Sequence, residues 1–257
     1  MHQMDVNTAF LHGELEEEVY MRQPEGFVVE GQEHLVCKLN KSLYGLKQSP
    51  RCWNYVLDEH LQSMGFVQTP SDNCIYVAEG DDPFMSAETF DVKDMRVLNY
   101  FLGMQVIQKS GKVWIGQPTY VEKVLSKFGM DNARPVDTPM DPNSKLIKAT
   151  EESELHNQPE YQSAVGILLY LSSATRPDIT FAVNNVAEFS EKPTKEHWSA
   201  VKRIFRYLKG TVNHGLQYPR DAREECVGFC NADWAGDTND RMSVSGYLFQ
   251  LNGCSVG

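Results

Sequence analysis

Apolar residues return at helical spacing in several stretches of the chain. Between residues 49 and 65, Trp53, Val56, Leu57, Leu61 and Met64 fall on one side of a helix. Pro50 stands in its first turn, where a missing N–H costs nothing, and Gly65 supplies the stop. Residues 118–128 repeat the pattern, with Tyr120, Val121, Val124, Leu125 and Phe128 on one face and Gly129 behind them. Three more helices are predicted between 159 and 210. The first, 161–173, is apolar on most sides and therefore buried; the second starts at Pro177 and runs to about Ser190. The third is capped by Thr194. It turns Trp198, Val201, Ile204, Phe205 and Leu208 inward and Lys195, Lys202, Arg206 and Lys209 outward, and ends at Gly210.

Alternation and β-formers predict strands over residues 1–12, 35–39, 74–77, 227–232 and 244–251, and a hairpin over 98–106 and 113–115 turning at Ser110-Gly111. Pro24-Glu25-Gly26 and residues 79–83 read as turns, and 85–94 as the tail of a helix. From 131 to 158 the pattern fades. Prolines fall at 135, 139 and 142 among polar residues, which predicts a linker with a boundary near 145.

Composition adds bounds. With 257 residues, 41% hydrophobic and 23% charged, the chain suits one large or two small globular domains. No apolar run approaches a membrane span, and the first residues read as a strand instead of a leader, so an intracellular protein is expected. Six cysteines without a C-x-x-C pair fit reduced thiols. The net charge of −11 argues against a general nucleic-acid binder. The charge is uneven, however. Lys38, Lys41, Lys47 and Arg51 share a stretch free of acids, and residues 192–209 hold six bases against one acid, Glu196. Such patches can track phosphates; the helical one equally reads as a solvated face. Glu14, Glu16, Glu17 and Glu18 form an opposing block.

One carboxylate is unusual. Asp5 lies between Met4 and Val6 on the opening strand. Either it faces water at a strand end, or it meets a divalent cation that offsets its burial.

Six blocks bear on that choice: Asp5-Val6-Asn7-Thr8-Ala9-Phe10, the run from Ser42-Leu43-Tyr44-Gly45 to Pro50-Arg51, Leu98-Asn99-Tyr100-Phe101-Leu102-Gly103-Met104, Ala174-Thr175-Arg176-Pro177-Asp178-Ile179, residues 201–210, and Asn231-Ala232-Asp233-Trp234-Ala235-Gly236-Asp237. In this order they resemble the reverse transcriptase and RNase H region of copia-type LTR retrotransposons, over nearly the whole chain. The resemblance implies an α+β fold. Residues 1–130 would be a partial polymerase palm and thumb (an antiparallel sheet with helices), 131–158 a linker, 159–225 a helical connection, and 226–257 the first hairpin of an RNase H-like domain. It implies RNA-directed DNA polymerase ancestry, an RNA/DNA template–primer as partner, and Mg²⁺ or Mn²⁺ as cofactor. Asp5 and the Val6 carbonyl would hold the ions. Phe10 would gate the ribose 2′ position, and Tyr44, Gly45 and Gln48 would line the nucleotide and template site, although both aromatics also read as core packing. The basic patches would contact nucleic acid.

The chain departs from the family pattern in three places. No fingers region precedes Asp5. The Tyr-x-Asp-Asp hairpin is missing where the text jumps from Phe84 to Met85. Asn231 stands where the first RNase H acid belongs, leaving Asp233 as a weak ion ligand or an ordinary strand end. Asp81-Asp82 is a poor substitute for the missing pair, because Pro83 follows directly. A catalytically inactive polypeptide is therefore expected. A nucleic-acid-binding remnant and a product of a decayed element are the other readings. Loss of the hairpin is expected to leave palm strands unpaired, with 159–210 the best-ordered part.

Overall fold

A computed structural model describes residues 1–78, 90–109, 111–141, 145–219, 225–234, 239 and 241–256. The expected turn at 79–83 with Asp81-Asp82, the Phe84–Met85 junction, the helix tail at 85–88, and Ser110, Pro142 and Asp237 lie outside the described residues. The chain forms two compact units, His2–Val97 and Leu98–Gly257, with Met1 belonging to the second. The segment 131–158, expected as a linker, lies within the second unit and has no regular helix or strand among its described residues until a helix, Gln158–Ala174, opens at its last residue.

In the first unit, β1 (His2–Val6) leads into a 3-10 turn, Ala9–His12. Two hairpin-like pairs follow: β2 (Tyr20–Arg22) with β3 (Val36–Lys38), and, after helix α1 (Ser49–Ser63), β4 (Val67–Thr69) with β5 (Asp72–Val77). β6 (Val92–Val97) closes the unit by pairing antiparallel with β1, setting Asp5 opposite Lys93 and Met4 opposite Asp94. The helical tail expected up to 94 is therefore a strand from Val92. Among the described strands its ladder partner is the distant β1, which no local period reveals. Helix α1 begins and ends close to expectation, with Gly65 at φ 87° past its end.

Close contacts fix the loop before α1. The buried hydroxyls of Ser42 and Ser49 donate to the carbonyls of Phe10 and Leu43. A Cβ on Gly13 would stand 2.6 Å from Cys52 Cβ, so only glycine lets the chain cross the helix there. Phe90 packs edge-on against His12, Trp53 and His60. Among the described residues of this unit, Phe90 and Leu61 are the buried apolar side chains, a thin core.

The second unit holds a sheet ordered β10-β9-β8-β7, made from β7 (Tyr100–Phe101), β8 (Met104–Lys109), β9 (Lys112–Gly116) and β10 (Gly215–Pro219). The strand expected over 98–106 is instead broken by a tight turn at Leu102-Gly103 into β7 and β8, and β8 makes the hairpin with β9; β10 joins by pairing with β9 across about a hundred residues of sequence. Helices α2 (Pro118–Lys127), α3 (Gln158–Ala174), α4 (Thr180–Ala187) and α5 (Lys195–Gly210) build the main core. Val121, Val124 and Leu125 meet Tyr161, Leu168, Val183, Val201, Ile204 and Phe205 there, all essentially removed from water. The expected second helix opens as a 3-10 turn, Pro177–Ile179, before α4 begins. A three-stranded sheet of β11 (Cys226–Ala232), β12 (Ser245–Leu251) and β13 (Cys254–Ser255) follows. Among the described residues the architecture is thus mixed, with small antiparallel sheets and five α-helices, and no helix is long and apolar enough to cross a membrane.

Arg176, 1% exposed, locks the corner between α3 and α4 to the end of α5. Its guanidinium binds the Asp178 carboxylate through two hydrogen bonds of 2.9 and 2.8 Å. It also donates to the carbonyl and hydroxyl of Thr211 and lies 5.6 Å from the Tyr207 ring centre. The Tyr207 hydroxyl donates to the same carboxylate at 2.8 Å. Burial alone would raise the Asp178 pKa; the hydrogen bonds and charge of Arg176, with Tyr207, overcome this and hold it below the ordinary value. The sign follows. Asp178 stabilises the fold above its unfolded pKa of about 3.9 and loses that contribution as pH falls through its folded value. Asp178→Ala leaves a buried cation half-satisfied and is expected to cost about 2–3 kcal/mol, read from urea unfolding of the helices at neutral pH. Lys202→Ala, on the exposed face of α5, is expected to change stability by less than about 0.5 kcal/mol.

Candidate functional site

The β1–β6 pairing decides what Asp5 can do. Asp5 is exposed, between half-buried Met4 and Val6, and the residue directly across the ladder is Lys93. The nearby acids of β6 and its approach are engaged locally. The Asp91 carboxylate accepts from Asn7 Nδ2 at 2.8 Å, and Asp94 Oδ1 accepts from the Arg96 backbone N–H at 2.7 Å. Among the described residues no three His, Cys, Asp or Glu side chains converge to hold a metal ion. β1 pairs with β6 alone among the described strands, so its other edge has no strand beside it there. A pair of divalent ions needs several oxygens aimed at one point, and one exposed carboxylate does not fit that requirement.

The aromatic residues do meet. The Phe10 and Tyr44 rings lie 4.9 Å apart, tilted by 59°. Phe10 is half-buried in the 3-10 turn, while Tyr44 is 62% exposed. Gly45 follows with φ 95°, and Gln48 stands half-buried at the head of α1. Phe10 and Tyr44 thus meet, with the Ser42 hydroxyl bonded to the Phe10 carbonyl, while Gln48 lines a different groove with Arg51.

The basic patches look different in three dimensions. Lys38 is paired with Glu18, because the β2–β3 register sets Lys38 opposite Tyr20, just past that acid. Lys41 forms a backbone bridge with Glu14. Arg51 and Gln48 border a groove of about 470 Å³ whose lining includes Glu14, Glu16, Glu17 and Glu59. Lys47 is exposed. On α5, Lys195 is paired with Glu154 at 2.7 Å, and Arg206 Nε donates to the Arg134 carbonyl at 2.7 Å. Lys202 is exposed and Lys209 half-buried on the same side.

Asn231 and Asp233 border a cleft of about 680 Å³ between α4 and β12. Asp233 Oδ1 accepts from the Val244 backbone N–H at 2.6 Å, which closes the end of the β11–β12 hairpin. Sequence reasoning passed over the partners of Arg176 and the His197 ring. Their signal was present only as a charged pair around Pro177 and a histidine three residues after a cap.

Residues 1–87 and 82–142 match the family model described as reverse transcriptase (RNA-dependent DNA polymerase). The chain belongs to this family. It is 42% identical to the retrovirus-related Pol polyprotein from transposon TNT 1-94 of Nicotiana tabacum, over 99% of the chain and 22% of that protein. It is 39% identical to the Pol polyprotein from transposon RE1 of Arabidopsis thaliana, over 97% of the chain and 19% of that protein. A transposon Ty5-1 protein of Saccharomyces cerevisiae is 30% identical over 98% of the chain and 90% of its own length. The chain spans about a fifth of the two plant polyproteins. The tobacco alignment runs over 287 positions against the 257 residues of the chain, so relatives carry residues that this chain lacks. No solved structure matches the chain.

An exposed lone carboxylate predicts weak metal binding. In a manganese titration followed by water-proton relaxation, Asp5→Ala is expected to change bound Mn²⁺ by less than about twofold, since a hard cation takes six or more oxygens. A tenfold loss would mean that Asp5 already sits in a cage.

Proposed function

We propose that this chain is a copia-type reverse-transcriptase segment that no longer polymerises. The observation that carries the reading is the surroundings of Asp5. It stands exposed opposite a lysine, with the neighbouring acids committed to local hydrogen bonds and no convergent third group among the described residues. Two features support an internal loss. The family match is divided in two at residues 82–87, and the relatives' alignments are longer than the chain. On this reading the missing stretch is the Tyr-x-Asp-Asp hairpin, which would have supplied the other carboxylates and covered the open edge of β1. The Mg²⁺ or Mn²⁺ of the family then lacks the ligands for productive binding. Phe10, Tyr44, Gly45 and Gln48 persist as a nucleotide-side surface with no metal centre to serve. Residues 1–130 keep a palm-like portion, 159–225 a helical connection, and 226–257 the opening of an RNase H-like sheet in which Asn231 offers one neutral oxygen in place of a carboxylate.

Primer extension on an RNA template with Mg²⁺ or Mn²⁺ is expected to give no product above background. Extension that Asp5→Ala abolishes would overturn the proposal.

A second reading, residual nucleic-acid binding, has one observation in its favour. Lys202, Arg206 and Lys209 share a face of α5, and no acid occurs between His197 and Lys209. Against it stand the ion pairs of Lys38 and Lys195 and the glutamates around Arg51. Binding through three cations is expected to be weak, with log affinity falling against log salt with a slope of roughly −2 to −3. In a gel-shift series, the double variant Lys202→Ala, Lys209→Ala is expected to reduce that slope by about 2. An unchanged slope places the contact elsewhere.

A further inference from the structure

We propose that His197 is an acid-opened latch, which in its neutral form holds the segment 145–157 against the start of α5. The ring is 1% exposed and stacks on Phe189 at 4.0 Å between ring centres. Its Nδ1 accepts the Thr194 backbone N–H at 2.9 Å, completing a reciprocal cap in which Thr194 Oγ1 accepts the His197 N–H. An acceptor at Nδ1 fixes the tautomer, so Nε2 carries the proton and donates to the Ile147 carbonyl at 3.0 Å. One imidazole thus faces a donor with one nitrogen and an acceptor with the other. Only the neutral Nε2–H form satisfies both.

A second proton has to go to Nδ1. There it meets the Thr194 N–H, donor against donor, at a ring sealed from the solvent. The cap opens, and with it the contacts that share that end of the helix. These are the Lys195 N–H to the Glu154 carbonyl at 2.9 Å, the His156 N–H to the Pro193 carbonyl at 2.9 Å, and the bridge between Leu155 and Thr194. Other ties on the segment lie away from the ring: Lys148 N–H donates to Asn239 Oδ1 at 2.8 Å, and His156, the segment's own titratable ring, stacks on Trp198 at 4.4 Å and stands 3.1 Å from the Glu160 carboxylate. Ile147 and Leu155 are exposed, and Leu146 packs against the core only in part. Lys145 and Leu146 also form one wall of a cleft of about 470 Å³ opposite Arg203 and Arg206, so release widens that cleft.

The charged groups around the ring come from three places. On α5 they are Lys195 and Glu196; on the segment, Lys148 and Glu154, the latter paired with Lys195; beyond α4, Glu191 and Lys192. Burial lowers the His197 pKa, while the Ile147 carbonyl and the charge of Glu196 pull it up by less. A histidine with a lowered folded value contributes its full stability above the ordinary pKa of about 6.5 and loses it as pH falls.

The test uses the full chain. Long-range ¹H–¹⁵N correlation at pH 7 should show an unprotonated Nδ1 at His197. Hydrogen-exchange protection at the His156 and Lys195 amides, corrected for intrinsic rates, should fall by up to about tenfold per pH unit from the ordinary pKa of about 6.5 down to the lowered folded value and then level off, while amides in the middle of α3 hold steady. In His197→Gln the step should vanish. A protonated Nδ1 at pH 7, protection that does not change on acidification, or the same step in His197→Gln each overturns the latch. The first of these readouts needs no variant to fold.

Discussion

A guanidinium sealed from water has to be met by fixed oxygens, and Arg176 draws its partners from three parts of the helical unit. Asp178 comes from the adjoining turn, Thr211 from just past α5, and Tyr207 from its last turn. Leaving the cation unmet would cost several kcal/mol, more than a surface ion pair contributes. The end of α5 is therefore fixed in register against the corner between α3 and α4. Tyr161 fixes the other side of that corner, its buried hydroxyl donating to the Val186 carbonyl at 2.7 Å. The apolar stripe of α5 can then fill the space between the two ties, and β10 starts from a defined point to join β9.

Among its described residues, His2–Val97 buries no charged side chain that could make a comparable tie. Its buried apolar side chains are Leu61 and Phe90 among the described residues, and its sheets are two-stranded pairs. A two-stranded pair in water is marginal and needs a covering layer or further strands. The ring cluster of His12, Trp53, His60 and Phe90 and the buried serines supply part of that cover. The edge of β1 away from β6 has none from strands. Stability is thus uneven along the chain, concentrated where helices bury continuous stripes. An edge strand with no strand beside it among the described residues is the natural weak point.

What could be read from the sequence followed the range of the interactions. Helices α1, α2 and α5 were legible to within a residue or two, because their stripes, caps and glycine stops are local. Thr194 was legible as a cap, but not the ring at His197 that returns the bond. The first half of β6 was misread as helix, because Val92–Val97 gains meaning only against β1, some ninety residues earlier. β10 escaped for the same reason. The acid-free run from Lys38 to Arg51 suggested an unopposed positive surface. Strand pairing brings Glu18 and Glu14 to it from earlier in the chain, and the groove at α1 adds Glu59. Family membership was legible from the order of six short blocks, none of which depends on predicting a contact.

The fate of the acids is the deeper point. A metal cage and a hydrogen-bonded turn compete for the same carboxylate oxygens. In a polymerase the cage wins because several acids converge and the bound cations repay their mutual repulsion. Here, among the described residues, the acids of β6 and its approach and of the β11–β12 hairpin are engaged by something nearer. Asp91 accepts from Asn7, Asp94 from the Arg96 amide and Asp233 from the Val244 amide, while Asp5 stands exposed across from Lys93. Local bonds of this kind keep the chain folded without asking it to store the repulsion of clustered charge.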